Sequence, residues 1–304
     1  MHVSSIVSLV AALLPLAVSA KGNLGFALGD KLADGSCKAT SDYEADFDAL
    51  KSSSSSTLVR TYSASECNST QQILPAAISK GFQVVLGVWP DTDASYAADK
   101  STLQSVLSDS SLLPAVYAIT VGSEVLYRGS LTAQQLLSKI QDMQSAFPKI
   151  LIGTADSWNK FQDGTADPII QAGLKLVLAN AFSYWQGQTI QNATKSYLDD
   201  LFQAFSRIQT TAGTTDIEIW TGETGWPSDG GSNYGAAIAG TSNAAEFFNK
   251  GVCSSLDWGF NVFYFEAFDE PWKPASVGQD GASENENHWG AFTVDRQVKF
   301  PLTC

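Results

Sequence analysis

The chain is predicted to be an α/β protein, a single (β/α)8 TIM barrel, on three observations. Eight apolar, β-branched runs recur along it with helix-like segments between them. These runs are largely continuous rather than alternating, as in parallel strands covered by helices on the outside. The side chains that follow them are carboxylates, amides and tryptophans, and barrel enzymes build their sites at that end of their strands.

The elements follow in order. The first twenty residues contain no Lys, Arg, Asp or Glu, carry an apolar run over 6–18, and end in Val18-Ser19-Ala20. That is the pattern of an export leader cleaved after Ala20, with an uncleaved anchor as the alternative. Residues 21–304 then make the barrel domain. Its first strand is expected over 24–28. A helix over 42–51 and a serine loop over 52–56 lead to the second strand at 57–62. The third and fourth strands are placed at 82–89 and 116–121. A helix over 132–147 carries Leu136, Leu137, Ile140 and Met143 on one side, and the fifth and sixth strands fall at 150–155 and 176–182. The helix expected over 196–210 lines up Leu198, Leu201, Phe202, Phe205 and Ile208 before the seventh strand at 217–221. The eighth strand is placed at 261–265. An open doubly wound sheet is the alternative, but no Gly-x-Gly-x-x-Gly follows any of the runs.

Four cysteines in a chain destined for export favour two disulfides. The expected pairs are Cys37 with Cys67 and Cys253 with Cys304, the neighbours in sequence; crossed pairing and free thiols are the alternatives. No Cys-x-x-Cys occurs, and His288 alone remains once the leader is gone, so neither a metal nor another cofactor is expected. Asn68-Ser-Thr70 and Asn192-Ala-Thr194 fit the N-glycosylation acceptor pattern and are expected on surface loops. A formal charge of −13 argues against nucleic acid and anionic membranes as partners. A neutral polymer meets no such repulsion. The chain ends at Pro301-Leu-Thr-Cys304 without an apolar tail, so no lipid anchor is expected.

The chemistry gathers after the strands. Tyr62, Trp89-Pro-Asp91, Glu124, Asp156-Ser-Trp-Asn159, Ser183-Tyr-Trp-Gln186, Glu223 with Trp226, and Glu266 with Phe268-Asp-Glu-Pro-Trp-Lys273 all stand there. Acids can cleave a glycosidic bond, amides can hold hydroxyls, and flat rings can cover the C–H faces of pyranoses. Each has a plainer reading: a lone Glu after a strand is commonly a solvated turn residue, and tryptophans are more often core than platform. Trp220 and Trp258 are assigned to packing. Trp158, Trp185, Trp226 and Trp272, with Asn159, are assigned to the cleft, and Tyr62 and Asp156 to its lining.

Five stretches together closely resemble glycoside hydrolase family 17, in its fungal cell-wall branch of glucan endo-1,3-β-glucosidases and 1,3-β-glucanosyltransferases. They are Val121-Gly-Ser-Glu124, Thr154-Ala-Asp-Ser-Trp-Asn159, Ala179-Asn-Ala-Phe-Ser-Tyr-Trp-Gln-Gly187, Gly222-Glu-Thr-Gly-Trp-Pro-Ser-Asp-Gly230 and Phe265-Glu-Ala-Phe-Asp-Glu-Pro-Trp-Lys273. The likeness runs from about Gly25 to the carboxyl terminus. It implies a (β/α)8 barrel that acts on β-1,3-glucan with retention, Glu124 as acid/base and Glu223 as nucleophile. By the same resemblance Tyr184 lies near the nucleophile, and Glu270 with Lys273 form a pair that supports the cleft. Two positions depart from the pattern: Ser123 stands where plant members have Asn, and Thr221 where an aliphatic residue is usual. The resemblance further implies a secreted, wall-associated enzyme, taken as a monomer. Transfer to a second glucan chain, with hydrolysis beside it, is the favoured outcome. Strict endo-hydrolysis, action on a mixed-linkage glucan and an inactive wall-binding barrel are the alternatives.

Overall fold

The computed structural model describes residues 20–229, 233–274 and 286–304, together with the backbone of 276–277 and 283–284. The expected leader therefore lies outside the described residues, Ala20 excepted. Eight parallel strands close into one barrel in sequential order. They are β1 (Leu24–Ala27), β2 (Leu58–Arg60), β3 (Gln83–Val88), β4 (Val116–Ser123), β5 (Leu151–Ser157), β6 (Leu176–Asn180), β7 (Glu218–Thr224) and β8 (Val262–Tyr264), with β1 pairing back onto β8.

All eight apolar runs are strands, and β6 is buried along its whole length, as a helix-covered barrel requires. Their carboxyl ends differ from the apolar pattern. The fourth, fifth and seventh strands continue past the last apolar residue through polar ones, so Glu223 sits inside β7 rather than in a turn after it. The reason is the two-residue repeat of a strand. Leu58 and Arg60 share one face of β2, as do Leu178 and Asn180 on β6, and Trp220 and Gly222 on β7. The lower member of each pair joins an apolar plug with Val85, Ala118, Ala155, Leu176 and Phe263. Above that plug the interior turns polar, and polar side chains there leave the strand ladder intact.

Around the barrel, helices start where their caps dictate. Thr132 accepts the Gln135 N–H and Gln135 reaches back, so the expected 132–147 helix runs Ala133–Ala146. Helix Thr40–Ser54 extends further than expected and takes up most of the serine loop, ending where Ser55 turns left-handed at φ 59°. The long helix Ile190–Ala212 begins earlier than expected and stops at Gly213, φ 65°. Neither glycosylation acceptor lies in a loop: Asn68 closes the short turn Glu66–Asn68, and Asn192 is in the first turn of that long helix. Both side chains are exposed.

The disulfides are Cys37–Cys67 and Cys253–Cys304, as expected. Trp220 is core, but Trp258 is not, being 49 % exposed; Phe202, expected on a buried helix face, is 45 % exposed. The two lean together with centroids 5.0 Å apart, two large rings sharing one half-wet patch.

Candidate active site

Glu124 and Glu223 reach one cavity from β4 and β7, strands separated in the barrel by β5 and β6. Strand β4 loses register with β5 after Thr120, and β7 loses register with β6 beside Asn180. Such irregularities bend strand ends and re-aim their side chains. Glu124 follows directly on β4 with a left-handed backbone, φ 57°, after Gly122 at φ 88°. A non-glycine residue in that region is held there by its surroundings. Here the Glu124 N–H donates to the Ala155 carbonyl at 3.0 Å, pinning the turn to β5.

The two carboxylates keep different company. Glu223 Oε1 accepts from Arg60 Nη1 at 3.0 Å and from Ser123 Oγ at 3.3 Å. Arg60 is itself 1 % exposed, and it also donates to the Gly222 carbonyl and to Ser123 Oγ. Glu124 Oε1 receives a neutral donor, Asn180 Nδ2 at 3.1 Å. Burial, then the charge of Glu223, then that of Asp156 push the Glu124 pKa up to about 8, against the pull of Asn180 and Arg128. One carboxylate thus stands beside a fixed cation, and the other is biased to hold its proton at neutral pH.

Gly222 makes this packing possible. A Cβ there would come within 2.5 Å of Asn180 Oδ1 and 2.8 Å of Leu178 Cβ.

The cavity has a volume of about 340 Å³ and is bounded by Tyr62, Trp89, Glu266, Glu270, Trp272 and Lys273, besides the two glutamates. A larger hollow, about 460 Å³, lies at the opposite end of the strands near Leu24, Leu58 and Trp220, and no Asp or Glu side chain among the described residues lines it. The chemistry belongs to the smaller one, which is of the size a small ligand site needs. Tyr62 lines it as expected, with the Arg60 guanidinium 4.9 Å from its ring. Lys273 bridges Glu266 at 2.6 Å and Glu270 at 2.9 Å. Trp272 carries Lys31 Nζ 4.6 Å from its ring centre.

Several expected cleft residues are elsewhere. Trp226 is 1 % exposed, its indole N–H donates to the Ile238 carbonyl, and its ring packs on Tyr184 and Phe247, so it is core. Tyr184 is buried in the same aromatic group, where Trp185 stacks on Trp289 at 5.3 Å. Trp158 and Asn159 open the helix Trp158–Gln162 outside the cavity wall. Asp156 is fully buried and accepts the N–H groups of Leu126, Tyr127 and Ser157, which makes it a brace for the loop after Glu124 rather than a lining residue. Thr221 shares a hydrogen bond with Tyr197 at 2.9 Å in the packing behind β7.

Sequence reasoning passed over Arg60 and Asn180 as site residues, and it noted Trp89 at its strand end without assigning it to the cleft. Arg60 had a signal, the one charge in the β-branched run 57–62. Asn180 ends its strand at the same barrel mouth that Glu124 and Glu223 reach, in a stretch already prominent for its motif. Trp89 forms the far wall, with the Arg128 guanidinium 4.7 Å from its ring and clamped by Asp91.

A family model for the BtgE/BtgC glycoside hydrolase domain matches residues 25–290. A glucan 1,3-β-glucosidase of Arthroderma benhamiae is 54 % identical over 306 residues, covering 100 % of this chain and 98 % of that one. A glucan 1,3-β-glucosidase of Saccharomyces cerevisiae is 47 % identical and covers 94 % of this chain and 93 % of its own. In three dimensions the chain is similar to a glycoside hydrolase family 17 β-1,3-glucanosyltransferase from Rhizomucor miehei, with a TM-score of 0.78 and 27 % identity over 92 % of this chain and 97 % of that one. An active-site mutant of the Rhizomucor enzyme, in complex with laminaritriose, matches with the same TM-score, 0.78, over 93 % of this chain and 98 % of that one. With its barrel, its paired glutamates and these relatives, the chain belongs to the BtgE/BtgC glycoside hydrolases of family 17.

Proposed function

We propose that the chain is a retaining β-1,3-glucan-active enzyme that cleaves internal glucosidic bonds and passes the glycosyl unit to another glucan chain or to water. Glu223 is the nucleophile and Glu124 the acid/base. The observation that carries this assignment is the placement of the Arg60 guanidinium 3.0 Å from Glu223, while burial and the charge of Glu223 raise the pKa of Glu124 to about 8. In the first step Glu223 attacks the anomeric carbon as Glu124 gives its proton to the departing glycosidic oxygen. The glycosidic bond breaks and a glycosyl ester forms. Esterification removes the Glu223 charge, so the Glu124 pKa falls and its carboxylate can accept a proton from the incoming hydroxyl. That hydroxyl attacks the anomeric carbon, and Glu223 leaves as a carboxylate.

Water and a sugar hydroxyl compete for the same intermediate, and about 1.4 kcal/mol of relative barrier changes their ratio tenfold. The relatives are glucan 1,3-β-glucosidases and a β-1,3-glucanosyltransferase, which supports the glucan substrate and favours transfer with concurrent hydrolysis. Sizing the products from one defined β-1,3-linked oligosaccharide tests this. Products longer than the donor are expected; a mixture of shorter ones alone would leave strict endo-hydrolysis. The apolar start of the sequence supports export after removal of residues 1–20, the glucan-active fungal relatives support a wall location, and the exposure of Asn68 and Asn192 leaves both open to glycans.

A further inference from the structure

Glu266 is a buried carboxylate that the two-glutamate chemistry does not employ. It stands past the end of β8, 2 % exposed, in the wall of the catalytic cavity. Its Oε2 receives Lys273 Nζ at 2.6 Å, and the same ammonium serves Glu270, 4 % exposed, at 2.9 Å. One cation is thus divided between two buried acids. Glu266 Oε1 is left buried with no hydrogen-bond donor among the described residues. A fold retains so unfavourable an atom where something outside the chain satisfies it.

The surroundings narrow what that is. Glu270 is packed so closely on the segment after β1 that a Cβ on Gly29 would lie 1.8 Å from its Oε1, which holds its carboxyl in place beside Glu266. Lys273 is fixed from below by the Phe265 ring, 4.6 Å from Nζ. Burial first, and then the Glu270 charge, push Glu266 well above the usual carboxylate range, with Lys273 opposing. Glu266 lines the same cavity as Glu223 and Tyr62. A group there that is both donor and acceptor satisfies Oε1 whether Glu266 is ionised or protonated. A sugar hydroxyl is such a group.

We propose that Glu266 is a substrate-binding residue whose Oε1 hydrogen-bonds a ring hydroxyl of the glucosyl unit held beside Glu223, with Lys273 and Glu270 as its positioning residues. This rests on the glucanase reading of the cleft. It accounts for why two acids share one lysine: the second carboxylate is a recognition group completed by substrate.

The test compares wild type, Glu266→Ala and Glu266→Gln on a β-1,3-linked glucose oligosaccharide and on its monodeoxy analogues, each lacking one hydroxyl of the sugar at the cleavage point. On the intact substrate Glu266→Ala is expected to lose roughly 10- to 100-fold in kcat/KM, the size of one hydrogen bond to a charged group. On one analogue, already poor for wild type, the same substitution is expected to cost almost nothing further. Glu266→Gln, which can still accept and donate, is expected to keep more activity than Glu266→Ala and to melt no lower than wild type. An equal loss on every analogue, or a Gln variant that melts lower while keeping full activity, would make Glu266 a structural residue and overturn the proposal. Wild type that leaves the intact oligosaccharide uncut would instead overturn the glucanase reading.

Discussion

Arg60 touches Glu223 at 3.0 Å, whereas Glu124 is held by the neutral amide of Asn180. Two side chains of the same chemistry are thereby given different partners, a cation for one and a neutral amide for the other. For Glu124 the folded pKa is raised to about 8, so the acid form is present below that pH and is lost as pH rises through it. The kcat/KM profile is therefore expected to have a basic limb near pH 8. Asn180→Ala removes a bond that favours the ionised form and should move that limb upward by about one unit. A limb that stays in place or moves down would separate Glu124 from the protonated role. The same scale shows what residue types alone convey. Glu124 and Glu223 are legible as a pair because each ends a strand in a distinctive motif. Trp226 has the same position and a sugar-binding residue type, yet Tyr184 and Phe247 enclose it. A tryptophan's position along a strand does not reveal which neighbours will cover it.

Strands are the elements read most directly, because burial on both faces writes itself into continuous apolar runs. Their carboxyl ends are harder to read, because polar residues in β4, β5 and β7 face a polar interior without breaking the ladder. Helix ends are set by particular groups, Thr132 with Gln135 at one end and Gly213 at another, and so differ from the apolar periodicity, there by one and two residues. The loop after β4 depends on Asp156, which takes three backbone N–H groups at 2.8 to 3.1 Å. Asp156→Ala would leave those donors unmet and loosen the segment that carries Glu124. Its kcat is expected to fall roughly 10- to 100-fold with KM little changed, since a displacement near 1 Å suffices for that. Steady-state kinetics on a β-1,3-linked oligosaccharide check this, and a rise in KM at constant kcat would return Asp156 to the cleft lining.

At the scale of the whole molecule the barrel separates stability from chemistry. Its apolar plug and its second disulfide lie toward the amino-terminal end of the strands, and the glutamates lie at the other. Cys253–Cys304 closes a span of 51 residues and ties the carboxyl terminus to the helix Cys253–Asp257. Replacing both cysteines by serine is expected to cost roughly 2 to 5 kcal/mol of stability. Activity at 25 °C should be unchanged. Thermal melting with a parallel rate assay would show it, and a loss of rate without a loss of melting temperature would contradict that separation. The barrel was legible because eight similar runs demand a closed, helix-covered sheet. The cavity was legible only in outline, because its walls come from residues far apart in sequence, Arg60, Trp89 and Asn180 among them.

The central claim is that Glu223 forms a covalent bond with the sugar. Incubation with a fluorinated β-glucosyl donor that forms the intermediate but turns over slowly, followed by peptide mass spectrometry, tests it most directly. The label is expected on the peptide carrying Glu223, with products of retained configuration from the natural substrate. A label on any other residue, or inverted products with no label at all, would contradict it.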